Sequence, residues 1–93
     1  MLNFNLRLDT MHQAIGQISQ RLEALQIEIE ERGEISDANR ACLDHIQQHQ
    51  HELAMRLAVA ERQGTWVSLS KEFAVDWNLL LDDLDALEER IYD

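Results

Sequence analysis

The sequence predicts an all-α protein, an elongated antiparallel three-helix bundle running up, down, up. Three observations carry that prediction. The 93 residues contain no proline and only three glycines, a composition that suits long helices and not a turn-rich β fold. Two of those glycines, Gly33 and Gly64, cut the chain into segments of similar length, each ending in helix-favouring charged residues. Within each segment apolar residues recur at steps of three and four, the period of one face of a helix.

The first helix is expected over about residues 10–32. Leu8, Met11, Ile15, Ile18, Leu22, Leu25 and Ile29 form an unbroken seam of coiled-coil type. Thr10 followed by Gln13 has the spacing of a capping box, which places the start near residue 10. Ahead of it, Leu2, Phe4, Leu6 and Leu8 alternate with polar residues. That alternation reads as a strand needing an edge from another chain, or as a frayed or helical terminus in which Phe4 extends the seam.

Gly33 suits the left-handed position just beyond a helix, and Ser36 is a good N-cap for the second helix, expected over about 36–63. Leu43, Ile46, Leu53, Leu57 and Ala60 lie on one face, with polar Gln50 in the middle and Cys42 and His49 at the edge. A polar residue in such a seam commonly fixes register at a cost in stability. Gly64 and the cap residue Thr65 then lead into the third helix, expected over about 66–91. It is the most apolar of the three, with Trp66, Leu69, Phe73, Trp77, Leu80, Leu84, Leu87 and Ile91 on one stripe and Val67, Ala74 and Leu81 widening it. Consecutive four-residue steps around Phe73 and Trp77 make a stutter that locally unwinds the supercoil. Turns this short force neighbouring helices to lie antiparallel.

The third helix carries more apolar residues than one stripe can hold. Val75, Leu79 and Ala86 lie about 180° to 220° around it from Trp66 at 100° per residue, and Met55 and Val59 play the same part on the second. Either each helix touches two neighbours and so needs a wide arc, or this strip is a face for another chain. The two readings weigh alike from the sequence; a small bundle has little core for its surface, which makes a homodimer a natural way to cover more of it.

Charge narrows the partners. Eighteen acidic residues against eight basic ones give −10, which repels phosphate backbones and anionic head groups, so direct nucleic-acid or membrane binding is not expected. Glu28, Glu30, Glu31 and Glu34 crowd the end of the first helix, and Asp82, Asp83, Asp85, Glu88, Glu89 and Asp93 the end of the third, with only Arg32 and Arg90 nearby in sequence. In an up-down-up bundle those ends coincide. Acids at helix C-termini oppose the macrodipole, so the crowding is unfavourable unless a basic partner reverses it or solubility is its purpose.

Signs of catalysis are lacking. There is no glycine-rich turn to present a nucleophile or hold a phosphate, and adjacent carboxylates such as Asp82 and Asp83 point about 100° apart on a helix. Cys42, His45 and His49, with Glu52 beyond, share a flank of the second helix at spacings a transition metal tolerates. The sequence supplies no second ligand cluster, and solvated histidines beside a small apolar thiol near the core account for them better. No cofactor is expected. A single cysteine cannot close an internal disulfide, and no apolar run approaches a membrane span, so a cytoplasmic location is expected.

The expectation is therefore a non-enzymatic protein-interaction module of adaptor, chaperone, antitoxin or inhibitor type. It would bind through Val75, Leu79 and Ala86 and through an acidic pole of Glu30, Glu31, Glu34, Asp82, Asp83, Asp85, Glu88 and Glu89. The partner would be another protein, either basic or bearing an apolar groove. The alternatives are an acidic mimic of nucleic acid that inhibits a DNA- or RNA-binding protein, and a metal sensor built on Cys42, His45 and His49.

Overall fold

The computed structural model describes residues 7–92, and the alternating segment 2–6 and Asp93 lie outside them. Three helices, α1 (Leu8–Arg32), α2 (Asp37–Gln63) and α3 (Trp66–Tyr92), fold back on one another as an up-down-up bundle of 44 × 29 × 18 Å. Among the described residues there is no strand.

Both glycine hinges form as the sequence predicts. Gly33 and Gly64 sit at φ 76° and 73°, the left-handed region where a Cβ is costly. The Gly33 amide donates to the Ile29 carbonyl, and the Gly64 amide to Ala60 and Glu61, so the last carbonyls of each helix are satisfied as the chain turns. Ser36 caps α2, its Oγ accepting from the Asn39 amide at 3.1 Å.

Helix α1 begins at Leu8, two residues earlier than the capping box predicts. Arg7 is the N-cap, with no side-chain capping bond, and its carbonyl accepts from the Met11 amide at 3.0 Å. The reason is burial. Met11 is fully buried and Leu8 packs against the core, whereas Thr10 and Gln13 face solvent, so packing of the first turn outweighs a local cap. At the second turn, the Thr65 hydroxyl donates back to the Ala60 carbonyl at 3.5 Å, closing the end of α2, and the Thr65 carbonyl accepts the Ser68 and Leu69 amides that open α3.

The core is the set of stripes read from the sequence. Ile18, Leu25, Ile46, Leu53, Leu57, Phe73, Leu80, Leu84 and Leu87 are almost wholly shielded, with Ala14 joining on α1. Helices α2 and α3 are the most closely packed pair. Two positions on α3 depart from the expected stripe. Ser70 is completely buried, its Oγ donating to the Val67 carbonyl at 2.8 Å, and Val67 faces out at 48% exposure. Ser70 stands four residues after Trp66 and three before Phe73, so Trp66, Ser70, Phe73, Trp77, Leu80, Leu84, Leu87 and Ile91 keep an unbroken alternation of four and three; Leu69 lies off that seam, and the expected stutter does not form. Trp66, Leu69, Trp77 and Leu81 are half-buried flanks of the core, and the Trp77 Nε1 is shielded without a hydrogen-bond partner.

Polar pairs fix the register of the layers. His12 Nε2 lies 2.9 Å from Glu61 Oε2, Gln50 Nε2 donates to Ser19 Oγ at 2.8 Å, and Gln47 Nε2 donates to Gln26 Oε1 at 3.0 Å, three rungs between antiparallel α1 and α2. Gln50, the polar interruption of the α2 seam, thus bonds across to α1 at the half-buried margin. Between α2 and α3, Arg56 reaches both Glu72 and Asp76, at 3.0 and 2.9 Å.

Candidate protein-interaction surface

The fold gives the bundle two unlike ends. At the Gly33 end the C-termini of α1 and α3 meet, and the Arg32 guanidinium lies 5.9 Å from the centre of the Tyr92 ring. The acids that are far apart in sequence are therefore neighbours in space. The N-terminus of α2 lies among them, contributing the positive end of a macrodipole with Asp37 in its first turn.

Arg21 changes the composition of that pole. From the middle of α1 it contacts Asp85 Oδ1 at 2.5 Å and grips Glu88 through both Nε and Nη2. The hydrogen bond to Glu88 raises the Arg21 pKa above the ordinary guanidinium range, opposed by burial and helped by Asp85. Asp85 and Glu88 thus stitch α3 to α1, which corrects the expectation that they belong to a free docking pole. Glu28 is likewise held, by Arg32 at 2.8 Å. Glu30, Glu31, Glu34 and Glu89 are exposed near the Gly33 end and, among the described residues, carry no ion pair, so they form the pole that a ligand would meet; Asp82 and Asp83, also exposed and without an ion pair, sit about 15 Å before the end of α3.

The Gly64 end is formally neutral. Arg7, Arg56, Arg62 and Lys71 balance Asp9, Glu61, Glu72 and Asp76, and the acidic excess belongs to the opposite end. Here the apolar surface is exposed. Met55 (56%), Val59 (37%), Val75 (58%) and Leu79 (53%) stand out from α2 and α3, so packing against the neighbouring helices of the bundle does not cover this strip. Ala86 differs: it is half-buried, so the open strip ends near Leu79. Alongside runs a groove of about 480 Å³ between the helices, lined by Met55, Val59, Ser68, Leu69 and Glu72, with Arg56 at its edge.

Sequence reasoning missed Arg21, Arg56 and the groove. Arg21 lies 64 and 67 residues from its partners and Arg56 lies 16 and 20 from its own, so no local spacing marks them.

The candidate metal ligands do not converge. Cys42 is half-buried, His45 is exposed, the His45 and His49 rings are 6.3 Å apart, and the Glu52 carboxylate accepts from Gln48. Among the described residues no three His, Cys, Asp or Glu side chains are placed to hold one ion. Nor is any described helix long and apolar enough to cross a membrane. No family model, curated protein sequence or solved structure shows significant similarity to the chain.

Proposed function

We propose that this chain is a non-enzymatic protein-interaction module with two separate docking surfaces, the apolar strip on α2 and α3 and the unpaired acids at the Gly33 end. The observation that carries the reading is the exposure of Met55, Val59, Val75 and Leu79 on a bundle whose core is already complete. Isolated apolar side chains on a surface are ordinary, but adjacent ones beside an open groove mark an interface. The acidic pole supports a basic partner. Glu30, Glu31, Glu34 and Glu89, brought to one end by the fold, repel one another and the C-terminal dipoles of α1 and α3, and a cationic partner turns that repulsion into attraction and speeds encounter.

The test compares what the native host's extract yields to the immobilised wild-type chain and to two variants. Replacing Glu30, Glu31 and Glu34 by Gln removes charge from the pole, and Leu79→Asp disrupts the strip; both residue sets are exposed, so helical circular dichroism is expected to be unchanged. A specific protein that binds the wild type and is lost with the pole variant, with binding that weakens as salt rises, fits the proposal. Identical profiles from all three chains contradict it.

A further inference from the structure

We infer that the apolar strip is covered by a second copy of this chain, packed antiparallel about a two-fold axis at Val75. The inference rests on the reading that this face is an interface, and it names the occupant. Around α3, at 100° per residue, Ser68, Lys71, Leu79 and Asp82 all lie within about 40° of Val75, so they form one outward ridge. Leu79 is about 6 Å along the helix from Val75 on one side, and the groove framed by Ser68, Leu69 and Glu72 is about 4 to 10 Å from it on the other. A two-fold axis through Val75 therefore lowers each Leu79 into the partner copy's groove, against Met55 and Val59. The match is self-complementary, as a two-fold interface requires.

Charge selects the same orientation. In an antiparallel pair the residues on one flank of the ridge face the same flank of the other copy. Lys71 and Asp82 share a flank, and their offsets from Val75 differ by about 4.5 Å of helix, within reach of a lysine side chain. A parallel pair would instead set Asp82 and Asp83 against their own copies and place both acidic ends together. The antiparallel pair engages Asp82 and leaves Glu30, Glu31, Glu34 and Glu89 at opposite extremities, free for a basic partner. The strip is short, ending near Leu79, so the pair it forms is one that dissociates on dilution. Its neutral surroundings offer no field to favour a strongly charged occupant.

Analytical ultracentrifugation and cysteine cross-linking test this together. The wild-type chain is expected to sediment at twice its 10.8 kDa and to dissociate on dilution. Lys71→Glu and Asp82→Lys each set like charges across the interface and weaken association by about ten-fold or more, and the Lys71→Glu/Asp82→Lys double variant recovers it. In a Cys42→Ala background, Val75→Cys joins two copies on oxidation, whereas Leu79→Cys, about 12 Å from its symmetry mate along the axis, does not. All these positions except half-buried Cys42 are exposed, and circular dichroism confirms that each variant remains helical.

A wild-type chain that stays monomeric at about 100 µM overturns the inference, as does a dimer whose double variant fails to recover or whose Leu79→Cys variant cross-links as readily as Val75→Cys. A monomer that still binds a host protein through Glu30, Glu31 and Glu34 leaves the function proposed above standing. A dimer without any such partner overturns that function and supports the self-pairing.

Discussion

The two ends of the bundle share one core and differ in everything outside it. At the Gly33 end charge is concentrated and the exposed large apolar residues are Ile27 and Tyr92; at the Gly64 end charge is balanced and Met55, Val59 and Val75 are open beside one groove. The acids need the fold to bring them together, because α1 and α3 are remote in sequence. The outward angle of each half of the apolar strip follows from the local period of α2 and of α3, and the Gly64 hinge sets the two halves side by side. One surface needs helices remote in sequence, then, and the other only consecutive ones.

Core substitutions test whether the ends truly share a core, and they carry the largest expected effect. Leu84→Ala and Phe73→Ala, one toward each end and both fully buried, should each cost about 3–5 kcal/mol in urea unfolding. Comparable losses with a single cooperative transition support one core. A variant that melts only one half would show the ends to be independent.

Arg21 offers a sharper contrast. Arg21→Met leaves Asp85 and Glu88 uncompensated at the crowded end, and a cost of about 1–2 kcal/mol is expected, shrinking as salt is added. Arg56→Met, at the balanced end, frees two partly exposed acids among fewer like charges and should cost under about 1 kcal/mol. Equal costs would deny that acids are more crowded around Gly33.

The hinges should respond alike. A Cβ at Gly33 or Gly64 meets nothing within 4 Å, so Gly→Ala at either site costs only the left-handed backbone, about 1–2 kcal/mol, read as a lower melting temperature. The smallest effects lie at the surface. Replacing Glu30 or Glu31 by Gln should stabilise the chain by a few tenths of a kcal/mol in low salt and by nothing measurable in high salt. Substituting exposed Glu72 by Gln is expected not to stabilise, since Glu72 already pairs with Arg56.

Much of this arrangement is legible in the residues themselves. Gly33 and Gly64 mark the hinges because a left-handed cap favours glycine, and the outward angle of Val75 and Leu79 follows from helical period alone. What escapes the sequence depends on competition or distance. Thr10 offers a local cap, but burial of Met11 draws the helix start back to Leu8. Ser70 is polar and reads as solvent-facing, yet it holds the regular seam position between Trp66 and Phe73, and Leu69 beside it only looks like the seam residue. Asp85 and Glu88 look like free acids until α1 carries Arg21 across to them. Nothing local to residues 82–89 announces a cation from the first helix.

The claim that the two hinges gather the acidic residues at one end is most directly tested by a distance between α1 and α3. Spin labels at Glu31→Cys and Glu89→Cys, in a Cys42→Ala chain diluted with unlabelled protein, report that distance by pulsed electron resonance. A separation well under the 44 Å length of the bundle is predicted. A separation near or beyond that length would mean that α1 and α3 do not end together, and the acidic pole would not exist.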